Sequence, residues 1–240
     1  MAVQTVFKRY ELKYLITPEQ KKIVLQAMQP HMKQNKYGHA TIRNIYFDTD
    51  TYLLIRRSMD KPVYKEKLRI RSYSKAKPGS TVFVELKKKY KGIVYKRRVS
   101  LPEQEAMGWL CQTGGQGTGS QISNEIDYFL KYYSSLRPAI FISYERDAYF
   151  SEEDPDLRIT FDENILCRQE DMSLGADIYG TPILPEGKVL MEIKCARGMP
   201  MWLVNTLSGQ RIYKTSFSKY ATAYTTMIFS KMKQEVTAYD

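Results

Sequence analysis

Glu11-Leu12-Lys13, Glu85-Leu86-Lys87 and Glu192-Ile193-Lys194 are three tripeptides of one form, each inside a strand-like run. In a β-strand residues i and i+2 point the same way. Each tripeptide therefore sets a carboxylate and an ammonium on one side and an aliphatic side chain on the other. Lys65, Lys67, Arg69 and Arg71 alternate in the same manner and add four cations to one strand face. A chain written this way has to build a sheet with one face that gathers cations around a few acids. That composition suits a metal-bound polyanion, phosphate above all.

The remaining pattern supplies the rest of such a sheet. Lys8 to Ile16 alternates as a strand, and Thr17-Pro18-Glu19-Gln20 opens a helix with N-cap and N1 signals in order. This helix is expected to reach Met32 with Ile23, Val24 and Ala27 on its buried side. Strands are expected at 39–48, 64–74, 80–90, 92–100, 138–150, 156–165 and 188–197, with Tyr90-Lys91-Gly92 as a hairpin turn. Helices fit 103–112, 121–135 and 217–234, and a long loop fits 168–187. The glycine run from Gly114 to Gly119 has no Lys-Ser/Thr ending and no preceding strand, so it reads as a flexible surface loop, not a phosphate cradle. No low-complexity linker divides the chain. The expectation is a single α+β domain over 1–240 around one antiparallel sheet of eight strands.

The formal net charge of +11 calls for an acidic partner. Cys111, Cys167 and Cys195 are odd in number and far apart, which argues against a disulfide framework or a zinc site and for a reducing compartment. No stretch is long and apolar enough to span a bilayer, and the first residues are polar, so a cytoplasmic protein is expected, with any membrane association made through a partner. His31 and His39 have neither metal nor triad spacing and read as surface residues.

A half-exposed sheet normally turns its polar face to water, and such faces mix signs and short polar residues. Here the polar faces carry Lys and Arg with isolated acids: Arg158, Thr160 and Asp162 alternate with Leu157, Ile159 and Phe161, Tyr144 shares a face with Arg146, and Lys96 shares one with Arg98. The arrangement expected is an inverted barrel, with aliphatic faces outward under helices and charged faces inward. Eight strands enclose room for side chains or one slim ligand. Clustered cations do not survive dry and unpaired, so the lumen has to be wet, anion-filled or both.

At this point the residues resemble a family. The Glu-x-Lys strand near the N-terminus, Ile45-Tyr46-Phe47-Asp48-Thr49, Lys67-Leu68-Arg69-Ile70-Arg71 and Glu85-x-Lys87 look like the triphosphate tunnel metalloenzymes. Tyr144-Glu145-Arg146, Arg158-Ile159-Thr160-Phe161-Asp162, Glu192-Ile193-Lys194 and Ser218-Lys219-Tyr220 look like the catalytic domain of the vacuolar transporter chaperone (VTC) polyphosphate polymerases. The match is collinear over nearly the whole chain, and its order is more specific than any one motif. The resemblance implies an eight-stranded antiparallel tunnel binding triphosphate or polyphosphate with Mn²⁺ or Mg²⁺. It implies phosphate contacts at Lys13, Arg69, Arg71, Lys87, Arg146 and Arg158, with Lys219 in the terminal Ser-Lys-Tyr element and Glu192 as the metal ligand. Lys96 and Arg98, preferred over Arg97 by the face argument, together with Lys67, Lys194, Lys214 and Ser218, are further phosphate-binding candidates. Glu11 and Glu85 either join Glu192 at the metal or pair with luminal lysines; Tyr46 and Asp48 read as structural. The family's eukaryotic inositol-phosphate-sensing domain and membrane helices have no counterpart here, so regulation by inositol phosphates and coupling to translocation are not carried over; a separate membrane protein is the expected partner for the latter.

The implied reaction transfers the ATP γ-phosphoryl group to inorganic polyphosphate. It needs alignment and charge cancellation more than covalent help, for which guanidinium forks are suited. Two alternatives stay open: a hydrolase of the same fold acting on tripolyphosphate or a nucleoside triphosphate, and a non-catalytic polyanion- or RNA-binding module. Against the last stand the strand-centred glutamates, which repel a nucleic-acid backbone unless a metal intervenes, so no specific nucleic acid is expected.

Overall fold

The computed structural model describes residues 6–7 and 10–230, apart from 92, 113, 114 and 197. In chain order the elements are β1 (Val6–Phe7), β2 (Tyr10–Ile16), α1 (Pro18–Met28), β3 (Lys33–Asp48), α2 (Leu53–Met59), β4 (Tyr64–Ser72), β5 (Thr81–Tyr90) and β6 (Ile93–Pro102). They continue as α3 (Glu103–Cys111), α4 (Gln121–Tyr132), β7 (Arg137–Phe150), β8 (Arg158–Arg168), β9 (Thr181–Pro182), β10 (Val189–Cys195), α5 (Met201–Gly209), β11 (Lys214–Thr215) and α6 (Lys219–Ala223), which runs into a π-helical segment, Tyr224–Phe229.

All the strands join one antiparallel sheet in the order β1-β6-β5-β4-β3-β7-β8-β10-β2-β11, with β9 on β8. The eight expected strands are its eight long members. Two expectations are corrected: among the described residues the sheet has eleven strands, and their backbone hydrogen bonds do not close it into a barrel. The outer edges of the last long strands are instead taken, in part, by two-residue strands, β1 on β6 and β11 on β2. Side chains span the gap between the two ends. Lys87 of β5 reaches Glu11 of β2 at 3.3 Å. Lys13 of β2 donates to the Phe217 carbonyl at 3.1 Å, while Lys67 of β4 donates to the Ser218 hydroxyl at 3.3 Å.

The aliphatic faces do point outward under helices. Leu68, Ile70, Val82, Val84 and Leu86 pack with Trp109, Leu110, Ile126 and Phe129 of α3 and α4. Ile16, Ile159, Phe161, Met191 and Ile193 pack with Val24 and Met28 of α1 and Leu203 and Leu207 of α5. Each such side chain contributes roughly 1.5–3 kcal/mol on burial. A third cluster was not expected. Ile42, Tyr46, Ile140, Ile142, Tyr144 and Leu190 lie on the same sheet face as the charged residues, and Phe217, Tyr220, Tyr224 and Ile228 cover them. The inner face is therefore only partly charged; the C-terminal helix occupies its apolar part.

Local sequence accounts for most element ends. Thr17 caps α1 in a reciprocal capping box with Gln20. The helix stops at Met28, short of Met32: Gln29 keeps helical dihedrals, but Pro30 has no N–H with which to continue the ladder. Val24 and Met28 form its buried stripe, while Ile23 is exposed and Ala27 half-buried. The helix expected over 121–135 ends at Tyr132, and residues 231–234 of the last expected helix lie outside the described residues, as do Lys8, Gly92 and Gly114. Helices α2 and α5 were not expected. The α2 start depends on Asp48, whose buried carboxylate accepts from the backbone N–H groups of Leu54 and Ile55. The glycine run is not a free loop: a Cβ on Gly117 would lie 2.6 Å from Ser123 Cβ and 2.7 Å from Trp109 Cζ2. Among the described residues no helix is long and apolar enough to cross a membrane.

Candidate functional site

The tripeptides set the register that builds the site. β10 and β2 pair antiparallel with Ile193 opposite Leu12, so Glu192 falls opposite Lys13 and Lys194 opposite Glu11. Two Glu-x-Lys units turned head to tail about their aliphatic centres thus give a checkerboard in which each acid faces a lysine. Glu192 lies 2.7 Å from Lys194 and 3.8 Å from Lys13; Glu11 lies 3.2 Å from Lys13. Burial and each other's charge would raise both carboxyls, yet the surrounding lysines hold Glu11 down at about 2 and Glu192 well below the usual carboxylate range.

The third tripeptide builds a separate hub. Glu85, 1% exposed, accepts two bonds from Arg69 at 2.8 and 2.7 Å and one from Arg98 Nε at 2.7 Å, and Lys96 stands 2.6 Å away. Burial opposes its charge, but Arg69, Arg71, Lys96 and Arg98 hold it far below the usual range. A third hub centres on Asp162 of β8. This fully buried carboxylate takes a two-pronged contact from Arg146 at 2.6 and 2.7 Å and a bond from Lys219 at 2.5 Å. Lys219 also lies 4.3 Å from the Tyr144 ring.

Cations remain in surplus after these pairs are made. Arg71, 6% exposed, donates only to neutral acceptors, Asn44 Oδ1 at 2.9 Å and the Tyr144 hydroxyl at 3.0 Å, and has no carboxylate within ion-pair distance among the described residues. Lys67 is pushed down to about 8 by burial and by Lys87, Lys65 and Lys13. Burial would raise the Tyr46 phenol, but Arg69, Arg71 and Lys67 bring it to about 8, and Arg69 donates to it at 3.0 Å. Thr160, opposite Glu192 on β8, is buried with its hydroxyl unpartnered. Such a face holds positive charge in place and lacks only anions to balance it.

The VTC domain profile matches this chain over residues 8–228. The chain belongs to the VTC domain family. Solved structures share the fold at low identity. An adenylate cyclase candidate from Bacillus halodurans is 16% identical with a TM-score of 0.56, over 90% of this chain and 96% of its own. An adenylyl cyclase candidate from Hippeastrum, described as having a dominant triphosphatase activity, is 18% identical with a TM-score of 0.51, over 90% and 94%. No curated protein matches the chain.

Within this VTC domain the structure brings most of the candidate residues onto one face. Lys13, Lys67, Arg69, Arg71, Lys87, Lys96, Arg98, Arg146, Lys194 and Lys219 all share it. Arg158, opposite Lys194 in register, stands exposed and without an ion pair among the described residues. Ser218 caps α6, accepting from the Ala221 N–H, besides holding Lys67. Arg97 points to the other side and pairs with Glu125 of α4 at 2.9 Å. Two candidates are relocated. Lys214 sits opposite Tyr14, an outer-core residue, so it lies exposed on the outer face and not among the phosphate candidates. Glu85 has its oxygens committed to three cations and does not fit a metal ligand.

Among the described residues no three His, Cys, Asp or Glu side chains converge as a ready-made metal cage. The carboxylates of Glu192 and Glu11, which lie 3.8 and 3.2 Å from the same Lys13 ammonium, are the donor type of a hard divalent ion, which commonly takes one or two carboxylates and completes its shell with water and substrate phosphate. The residues missed were Asp162, Tyr144 and Thr160. Asp162 was visible in the alternation with Arg158 and Thr160; nothing in the sequence marks which of 19 tyrosines turn their hydroxyls to a guanidinium.

Proposed function

We propose that the charged face binds the triphosphate of ATP and the end of an inorganic polyphosphate chain, and transfers the γ-phosphoryl group from one to the other. The observation that supports this reading is Arg71, a buried guanidinium oriented by neutral acceptors, with no carboxylate within ion-pair distance among the described residues and only the already shared charge of Glu85 acting on it from further off. It is a preformed seat for a phosphate oxygen. Arg69, Arg146 and Lys219 are held in fixed directions by Glu85 and Asp162, so they meet the equatorial oxygens with little reorganisation. Lys13, Lys87 and Lys194 act as point charges along the chain, and Arg158 and Lys96 lie where an anion first arrives.

Glu192 with Glu11 would hold Mn²⁺ or Mg²⁺, which supplies neutralisation of phosphate charge. In the transfer a terminal oxygen of polyphosphate forms a bond to the γ-phosphorus, the bond from that phosphorus to the β–γ bridging oxygen breaks, and ADP leaves with the electron pair. The attacking oxygen is already an anion, so no general base is needed. This agrees with the two histidines: His31 stacks on Trp202 and His39 pairs with Asp147, both away from the charged face. Hydrolysis would need a base for water. The luminal carboxylates Glu11, Glu85, Asp162 and Glu192 are all held low by cations, which makes them weak bases and supports transfer over hydrolysis.

The test is product analysis after incubation of the pure protein with ATP and Mn²⁺, with and without a short polyphosphate primer. ADP release matched by a lengthening ladder is expected; orthophosphate without a ladder would replace this reading with a triphosphatase. Glu192→Gln should abolish metal-dependent turnover while leaving polyphosphate binding largely intact, and unchanged turnover would remove Glu192 from the site.

A further inference from the structure

Arg43 of β3 lies on the opposite side of the sheet from the charged face, in alternation with Ile45 and Phe47 of the first core cluster. It is 6% exposed, and among the described residues it has neither a hydrogen-bond acceptor nor a carboxylate within ion-pair distance; its Nε is buried without a partner. Its register partner on β7 is Ser143, fully buried, whose hydroxyl is also unpartnered. The strands thus bring together a buried guanidinium Nε and a buried hydroxyl that no group among the described residues hydrogen-bonds.

An open space adjoins them. A cavity of about 340 Å³ is lined by Arg43 with His39, Thr41, Tyr73, Ser74 and Lys75. The carboxylates beyond the lining have cationic partners of their own: Asp177 pairs with Lys75 at 2.5 Å and Asp147 with Lys21 at 3.0 Å, and Asp177 acts on Arg43 only from outside ion-pair distance. The other buried guanidinium nearby, Arg168, has the Asp171 carboxylate at 4.0 Å. It donates to the carbonyls of Glu170, Asp171 and Tyr179 and lies between the rings of Phe141 and Tyr179. Of these two guanidiniums, Arg43 is the one that lines the cavity and has no hydrogen-bond or ion-pair partner among the described residues. Water can satisfy its hydrogen bonds but not its charge.

We propose that this cavity is a second oxyanion site, separate from the charged inner face, which seats a phosphate-sized group on the Arg43 guanidinium with Lys75 and the hydroxyls of Ser74 and Thr41 at its rim. A guanidinium fork matches two phosphate oxygens, and the rim hydroxyls donate to a third. Tyr73 ties the two sites together, since it lines this cavity while its hydroxyl accepts from Arg98 of the Glu85 hub at 3.0 Å. The same chemistry is offered by free orthophosphate and by the terminal group of a polyphosphate.

The experiment is calorimetric titration of the intact protein at constant ionic strength, first with tripolyphosphate to saturation and then with orthophosphate. A saturable orthophosphate site that persists beside bound tripolyphosphate identifies a free anion as the occupant. Two tripolyphosphates per chain, falling to one in Arg43→Met, identify a chain end. In either arm Arg43→Met should weaken this site by roughly tenfold or more and leave the other unchanged, and Lys75→Ala should weaken it severalfold. Should Arg43→Met fold poorly, Lys75→Ala and Ser74→Ala on the rim carry the same test. Identical stoichiometry and affinity in wild type and variants, or no second saturable site in the wild type, overturns the proposal.

Discussion

Replacing Glu85 by Gln should destabilise the protein heavily and without any involvement of metal. The carboxylate is 1% exposed and bonds Arg69, which is itself 20% exposed. Removing one partner of a buried pair costs about 3–5 kcal/mol. Arg98 and Lys96, the other two cations, are 35% and 38% exposed, so each loses only about 0–1 kcal/mol. Glutamine still accepts one or two of the bonds, which brings the expected net cost to about 3 kcal/mol. In a chain of 240 residues each kcal/mol moves Tm by about 2–4 °C, so a fall of about 6–12 °C is expected in a thermal melt with chelator present. Because the carboxyl is held below its ordinary value, its contribution is present at all pH values above the unfolded-state pKa and is lost only as pH falls below that into strong acid. The carboxyl itself adds no pH dependence from pH 6 to 8, but Lys96, pushed down to about 7 by burial against the pull of Glu85, does: the difference between wild type and variant should narrow as pH rises to about 7 and level off above it. Metal-free tripolyphosphate should recover more of the melting temperature in the variant than in the wild type, since its charge replaces the missing one. A loss under about 1 kcal/mol, or one that appears only with divalent metal, refutes the hub and returns Glu85 to the metal site.

Arg69→Ala should cost roughly tenfold to a hundredfold in tripolyphosphate affinity while Arg97→Ala changes it less than twofold, measured by calorimetry; equal effects would mean the two faces are wrongly assigned. Polyanion binding should take up protons near pH 8–9, because Lys67, pushed down to about 8 by burial and its cationic neighbours, is recharged by the ligand; affinity then falls as pH rises through 8, and binding heats that do not depend on buffer ionisation would contradict this. Asp48→Ala should cost about 2–4 kcal/mol, the sum of a lost cap on α2 and an orphaned Tyr220 hydroxyl now 2.7 Å from the carboxylate, read as a shift in denaturation midpoint. A cost below about 1 kcal/mol would show that α2 is held by other contacts.

The eight long strands and both faces of each were legible because period-two alternation is a strictly local property. The Glu-x-Lys units were legible as charged faces, but that the first and third pair acid against lysine across β10 and β2 emerged only from the structure. Closure was not legible. Whether β6 and β2 share hydrogen bonds depends on what occupies their outer edges, and two-residue strands leave no periodic trace. The apolar share of the inner face was missed for a related reason: Ile140, Ile142 and Leu190 look like ordinary strand residues until Tyr220 and Tyr224 are found packed on them. Lys214 went astray because its two-residue strand takes its facing from Tyr14 across the ladder, not from its own neighbours. Glu85 and Glu192 sit in identical tripeptide patterns, and only the company of Arg69 and Arg98 separates an ion-pair hub from a carboxylate able to take a metal.

The gap between the two ends of the sheet has a mechanical meaning. In a barrel sealed by backbone hydrogen bonds, strand number and stagger fix the girth. Here the girth is drawn in by laces: Lys87 to Glu11, Lys13 to the Phe217 carbonyl, and Lys67 to Ser218. Each lace ends on a lysine that faces the ligand space, so a polyanion loosens the lacing by the same contacts through which it is gripped. If a polyanion binds on this face, it competes for the lysines that lace the ends, and the spacing between β2 and β5 should widen without loss of any backbone rung.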